Sequence, residues 1–198
     1  MRKIQRIYWI IFYRVIFKIN KIAFGKGMRI CNSIYLNIGK KSTLKIGDNF
    51  GFSSGGGYNP LARNIRGSIE LENSSILKIG NNVGISSACI WVYDFIEIRD
   101  YVKIGADCII MDSDAHSLNF QDRRSSISDR PNARKKGIII CEDVLIGTRC
   151  TILKGVTIGA RSIIGSGSVV TRDIPEDEIW AGNPVTFIRK LNHSNNDL

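Results

Sequence analysis

Between Ile140 and Val170 an aliphatic residue returns at every sixth position: Ile140, Ile146, Ile152, Ile158, Ile164 and Val170. Glycine follows it at Gly147, Gly159 and Gly165, and four places after it stands a small or modest residue, Cys150, Val156, Ser162 or Ser168. A period of six fits neither a continuous helix of 3.6 residues per turn nor an unbroken strand of period 2, so the chain must turn at regular intervals between short extended segments. Glycine after the aliphatic residue suits a corner where a side chain is awkward. The same phase runs earlier through Ile98, Ile104 and Ile110, with Val102 and Cys108 at the fourth offset, and through Ile79 and Ile85, with Val83 and Cys89. A single extra residue near Trp91 shifts the register between those blocks. Further back, residues 36–55 match residues 69–88 almost position by position. Short strands stacked coil on coil give an all-β parallel solenoid with the aliphatic and small positions inside. Cys89, Cys108 and Cys150 are then expected to point inward as small core residues.

Forty-three per cent of the 198 residues are apolar, enough for the core of one domain. Five cysteines form no CxxC pair, and an odd number cannot all pair within one chain, so a reducing, cytoplasmic setting is the expectation. The net charge of +10 invites anionic partners, but no helix-turn-helix, zinc-finger or RNP-like segment accompanies it, and no nucleic-acid partner is expected.

Much of the positive charge sits in residues 1–33. No residue before Asp48 is acidic, while Arg2, Lys3, Arg6, Arg14, Lys18, Lys21, Lys26 and Arg29 are basic. At 100° per residue Ile4, Tyr8, Ile11, Phe12, Val15, Ile16, Ile19 and Ile22 share one face, and Lys3, Arg6, Arg14, Lys18 and Lys21 gather on another. The apolar stretch is too short and too interrupted by Arg14 to span a bilayer, and no cleavage site follows it. Two fates are open to such a helix: packing on its own domain or a neighbouring subunit, or peripheral contact of residues 1–29 with an anionic membrane face, with Trp9 near the boundary.

The repeat stops between Ile110 and Ile140, and the intervening residues are too polar for a solenoid interior, which predicts an inserted loop over 111–137. It carries His116, one of only two histidines; the other, His193, lies in a polar tail, 192–198, expected to be disordered. Imidazole titrates near neutrality, so His116 is the candidate general base for activating a hydroxyl, with Asp112 or Asp114 as the carboxylate that orients it. Arg123, Arg124, Arg130, Arg134, Lys135 and Lys136 make the loop basic, through recruitment of an anionic substrate or simple solvation.

The repeats, the DSDAH stretch and the closing VVTRDIPEDEIWAGNPVTFIRK together resemble the hexapeptide-repeat acyltransferases, and among them the maltose and galactoside O-acetyltransferases and their relatives in bacterial polysaccharide synthesis. The resemblance covers residues 34–191. It implies a left-handed parallel β-helix of triangular section, a handedness that spacing alone does not give. It also implies a homotrimer with active sites between subunits, and acetyl-CoA as donor to a sugar hydroxyl in capsule, O-antigen or exopolysaccharide assembly. By the same resemblance Asp107, and more weakly Asp94, would contact the acceptor, while Thr148, Ser166, Thr171, Asn183 and Pro184 would line the thioester and pantetheine. Arg172 and Arg189 are the cations chosen for the CoA phosphates. Residues 174–191 are expected to fold back and end in a short helix that caps the solenoid, with the N-terminal helix at the other end. The basic arm makes a lipid-linked saccharide at the inner membrane face a candidate acceptor.

The same base could serve an amino sugar and form an amide, and a solenoid can also be a non-catalytic scaffold. A carbonic-anhydrase-like zinc site needs about three imidazole ligands, so no metal is expected from two histidines. The residues ahead of the repeats in this sequence are few for the large helical domain of serine acetyltransferases or the nucleotide-binding domain of sugar nucleotidyltransferases, so neither class is expected.

Overall fold

A computed structural model describes residues 2–192. After an α-helix, Arg2–Ile19, the chain winds through three parallel sheets, one strand of each per coil. The first sheet stacks Ala23–Phe24, Thr43–Ile46, Ile76–Ile79, Phe95–Ile98, Ile138–Ile140 and Thr157–Ile158. The second stacks Arg29–Cys31, Gly51–Ser53, Gly84–Ser86, Lys103–Ile104, Leu145–Ile146 and Ile163–Ile164, and the third Tyr35–Ile38, Ser68–Leu71, Cys89–Val92, Ile109–Met111, Thr151–Ile152 and Val169–Val170. Six coils thus enclose a triangular core.

The sixfold rhythm becomes vertical rows. Ile46, Ile79, Ile98, Ile140 and Ile158 stack in register inside the first sheet, Phe52, Ile85, Ile104, Ile146 and Ile164 inside the second, and Ile69, Ile90, Ile110, Ile152 and Val170 inside the third, all essentially buried. Each burial removes apolar surface from water on both sides of a coil, worth about 1.5–3 kcal/mol per side chain. The glycines act differently from expectation. A Cβ on Gly105 would stand 2.7 Å from the Gly147 carbonyl carbon, and one on Gly147 2.6 Å from the Ser166 amide, so these positions permit close stacking of coils. The left-handed backbone falls two residues further on, at corners occupied by Asn49, Asn82, Tyr101, Asp107, Asp143, Arg149 and Arg161 and by two other glycines, Gly155 and Gly167. Cys108 and Cys150 are buried as expected, whereas Cys89 is not: Ala88 fills the interior place stacked on Cys108, because that corner is one residue shorter than its successors.

Both open ends are covered. The helix packs Tyr13 and Phe17 into the core with Trp9 and Ile16 beside them, and the Tyr13 hydroxyl donates to Ile34 O (3.1 Å) and accepts from Ile34 N (2.6 Å). Of the stripe the periodicity picked out, only Ile16 and Ile22 join the core, while Ile4, Tyr8, Ile11, Phe12, Val15 and Ile19 are exposed. No helix among the described residues is long and apolar enough to cross a membrane. At the other end the expected short helix is absent. Glu178–Ala181 adds in parallel to Ile163–Ile164, and Thr186–Lys190 returns antiparallel to it. Five residues are too few for a stable helix, while an unpaired sheet edge offers them a ladder at once. The expected disordered tail lies, from residue 193, outside the described residues.

Two loops leave the solenoid. Residues 111–137 run from the third sheet to the first, closed at the base by the Ser113–Lys135 bridge and by Asp114 N to Arg134 O (3.0 Å) and Lys136 N to Asp112 O (3.0 Å). Residues 54–67, which lie outside the sixfold repeat, run from the second sheet to the third and contain a short 3-10 turn, Pro60–Ala62, capped by Asn59.

Candidate active site

His116 follows Ala115, which takes left-handed backbone (φ 60°) with its amide donating to Ser113 Oγ (3.0 Å). The kink turns the imidazole out of the loop base. Its Nδ1 lies 2.6 Å from Asp129 Oδ2, and the other oxygen of that carboxylate accepts Ser117 N at 2.9 Å. Asp129 is therefore clamped in orientation by a backbone amide. Its carboxyl is held below the usual range, first by the hydrogen bond from His116 and then by Ser117 N. With the carboxylate accepting Nδ1–H, the lone pair falls on Nε2. The His116 side chain is 63% exposed against 14% for Asp129, so the free face of the ring is open while its partner is shielded. Further bonds fix the loop: Ser117 Oγ to Asp122 (2.8 Å), Arg123 to Ser117 O (2.7 Å) and Ser128 Oγ to Asp122 O (2.8 Å). Arg123, read above as one of a basic run, is thus an internal strut.

The orienting carboxylate is neither of the two expected. Asp112 is buried and accepts the amides of Tyr93, Asp94 and Phe95 at 2.6, 2.9 and 2.7 Å, so it holds the corner of the preceding coil. Burial pushes its carboxyl up, against the pull of those three amides. Asp114 pairs with Lys154, tying the loop to the next coil. Sequence proximity misled because residues 113–115 turn sharply, while Asp129 returns from thirteen residues away.

Asp107 sits in a left-handed corner between the second and third sheets, where Arg63 of loop 54–67 reaches it at 2.8 Å and Arg149 at 4.0 Å. Asp94 is exposed at the edge between the third and first sheets. Thr148 and Ser166 stack directly, Thr148 N donating to Ser166 Oγ at 3.2 Å and Gly167 N to Thr148 O at 2.8 Å. Both line a groove of about 670 Å³ along the outer face of the second sheet. Asn183 and Pro184 lie in the C-terminal hairpin turn, which docks on the same corner through Gly182 N to Ser168 Oγ (3.0 Å) and Val185 N to Val169 O (3.0 Å). Arg189 is exposed on the last strand of that sheet. Thr171 and Arg172 are elsewhere, following Val170 at the edge from which the His116 loop springs.

The expected residues therefore fall on two edges of the prism. One carries His116, Asp94, Thr171 and Arg172, joined there by the unexpected Asp129; the other carries the groove with Thr148, Ser166, Asp107 and the hairpin turn. None of the groove's lining comes from loop 111–137. The lining does include Tyr58 and Asn59 of the second loop, and Asn59 Nδ2 donates to Ser86 Oγ at 2.7 Å. The signal for that loop was available in the sequence: three glycines at 55–57, Asn59-Pro60, and no sixfold return between Phe52 and Ile69.

Residues 137–172 match the bacterial transferase hexapeptide (six repeats) family. A curated relative from Staphylococcus aureus (strain COL) is 42% identical over 84 residues, 42% of this chain and 38% of that protein. The galactoside O-acetyltransferase of Lactococcus lactis subsp. lactis is 41% identical over 70 residues, 32% of this chain and 34% of that protein. The chain thus spans well under half the length of these relatives. A hexapeptide-repeat-containing acetyltransferase from Vibrio cholerae, solved with acetyl coenzyme A, superposes with a TM-score of 0.55 at 28% identity, covering 79% of this chain and 71% of that one. The three parallel sheets are those of the hexapeptide-repeat left-handed β-helix.

Proposed function

We propose, for a chain built as a hexapeptide-repeat β-helix, that it is an acetyl-CoA-dependent O-acetyltransferase acting on a sugar hydroxyl, as the named activities of its relatives suggest. The observation that carries the reading is the His116–Asp129 pair, an imidazole with Nδ1 bound to a clamped carboxylate and the rest of the ring open. In the reaction Nε2 takes the acceptor hydroxyl proton as the oxygen attacks the thioester carbonyl. Backbone N–H groups hold the tetrahedral oxyanion, and its collapse expels the thiolate of CoA, which takes the proton back from the imidazolium. The products are a sugar acetate and free CoA.

A single copy separates the base from the groove, which favours assembly of the site across copies, the His116 edge of one meeting the Thr148–Ser166 groove of the next in a homotrimer. Thr171, Arg172, Asn183, Pro184 and Arg189 then gather around the donor, and Asp107 and Asp94 approach the acceptor from opposite subunits. The exposed stripe Ile4, Tyr8, Ile11, Phe12, Val15 and Ile19 beside Arg14 and Lys18 supports peripheral binding at the cytoplasmic membrane face, where lipid-linked saccharides of surface-polysaccharide synthesis are met. The test is release of free thiol from acetyl-CoA across a panel of saccharides. His116→Ala should fold normally and lose about 100-fold or more in kcat; wild-type turnover by that variant defeats the assignment.

A further inference from the structure

The groove on the second sheet extends well past the residues the transfer needs. Arg29, Gly51, Gly84, Lys103 and Leu145 stand in register on consecutive coils, on the outward side of the sheet. Coils rise about 4.8 Å each, so Lys103 is one step from the strand that leads into Thr148, and Arg29 lies roughly 14 Å beyond Lys103. Between the two cations the row carries only Gly51 and Gly84; the Lys103 side chain folds over Gly84, and the open notch lies at Gly51, between that side chain and Arg29. The Lys103 stem lies over Gly84, where a Cβ would be 3.2 Å from its Cδ, and Nζ donates to Asn82 O at 2.8 Å. Arg6 of the N-terminal helix joins the lining at the Arg29 end. Both guanidinium groups act on the Cys31 thiol there, whose pKa burial raises against their pull. The adjoining wall is polar: Ser53 Oγ and Ser86 Oγ are 3.3 Å apart, with Asn59 on Ser86.

The charge balance is one-sided. The lining holds Arg6, Arg29 and Lys103 and no aspartate or glutamate, and among the described residues none of the three has a carboxylate within ion-pair distance. Some cations elsewhere on the surface are answered by carboxylates, Arg63 by Asp107, Arg99 by Glu97 and Glu142, Lys154 by Asp114, Arg161 by Glu176 and Asp177, whereas Arg6, Arg29 and Lys103 share one concave lining that holds none. Three unpaired cations along one groove are suited to an oxyanion that brings its own charge, and guanidinium groups bind phosphate in a forked, charge-assisted geometry. A neutral sugar would leave them with nothing to neutralise.

We infer that the Arg6–Arg29–Lys103 notch binds a phosphate or diphosphate carried by the acceptor, so that the substrate is a phosphate-linked saccharide rather than a free neutral sugar. The inference rests on the acetyltransferase reading for its acceptor but not for its ligand chemistry. The hydroxyl- and amide-lined wall at Ser53, Ser86 and Asn59 takes the sugar ring next to the anion, and Lys103 marks the end nearer the thioester. CoA is the other source of phosphate, and it is separable by competition.

The measurement is calorimetric binding of inorganic pyrophosphate to the full-length protein at low salt, with and without saturating CoA, in wild type and in an Arg29→Gln/Lys103→Gln double variant. Pyrophosphate should bind the CoA-saturated protein, and the double variant should weaken that binding about tenfold or more, the scale for losing charged hydrogen bonds. In parallel, the ratio of kcat/KM for a saccharide 1-phosphate to that for the same saccharide without phosphate should fall by about tenfold in the double variant. Displacement of pyrophosphate by CoA assigns the cations to the donor and overturns the proposal. So does failure of pyrophosphate to bind, or equal binding by wild type and variant. Inactivity of the wild type towards every saccharide defeats the acetyltransferase reading alone, since the pyrophosphate arm still decides the notch.

Discussion

Replacing Asp129 separates the two jobs of its carboxylate. One oxygen accepts Ser117 N at 2.9 Å and the other meets His116 Nδ1 at 2.6 Å. In Asp129→Asn the amide oxygen must stay on Ser117 N, because an NH₂ there would face another donor. The NH₂ is then directed at Nδ1, which must accept, and the ring proton moves to Nε2. The imidazole stays in place but presents N–H where the reaction needs a lone pair. In Asp129→Ala nothing fixes the tautomer, and a fraction of rings keeps the productive form. The order is therefore counter-intuitive: the near-isosteric asparagine should cost about 100-fold or more in kcat, approaching loss of the base itself, and alanine about tenfold. Thiol release at saturating acetyl-CoA and acceptor measures both, with circular dichroism to check the fold. Asparagine retaining more than half of wild-type kcat, or alanine proving the worse of two folded variants, refutes the tautomer argument. Because the Asp129 carboxyl is depressed in the folded protein, its stabilising effect is present above the unfolded carboxylate pKa and is lost as pH falls through the folded value. Wild type and Asp129→Asn should therefore differ in thermal midpoint near neutrality and converge in acid.

Asp112→Ala leaves one buried and two partly buried amides without their acceptor and should cost about 3 kcal/mol in denaturant unfolding, with Asp112→Asn losing less because one oxygen remains. The exposed stripe of the helix gives an independent test of membrane contact. Ile11→Glu/Val15→Glu should abolish co-sedimentation with anionic vesicles while leaving the thermal midpoint within a few degrees of wild type, since neither side chain is in the core; unchanged sedimentation would exclude that face.

The parts of this molecule legible in its sequence are those repeated often enough to average out local noise. Ile98, Ile104 and Ile110, or Ile146, Ile152 and Ile158, each report the same geometric constraint, and their burial follows from it. Individual corners are less legible. Ala88 rather than Cys89 turned inward because one corner is shortened by a residue, whereas the aliphatic rhythm shows only a net register shift near Trp91 and not which corner carries it. The helix showed its more aliphatic stripe in the hydropathy pattern, yet the aromatic stripe Trp9, Tyr13 and Phe17 was the one that packed, with the Tyr13 hydroxyl satisfying both backbone groups of Ile34. Asp129 was hidden for a different reason: a loop that folds on itself through side chains brings together residues with no common period. The split of the candidate residues between two edges was likewise unreadable until each hexad could be assigned to its sheet.

In-register stacking also makes this surface a ruler. Arg29, Gly51, Gly84, Lys103 and Leu145 occupy successive rungs, so the separation between any two of them changes only in whole steps of about 4.8 Å. Lengthening the solenoid by one complete coil between Gly84 and Lys103 would move the two cations apart by a single rung while leaving each rung's local shape intact. Reach along this face is therefore set by counting, and an altered substrate length could be met by adding or removing a turn rather than by redesigning a pocket.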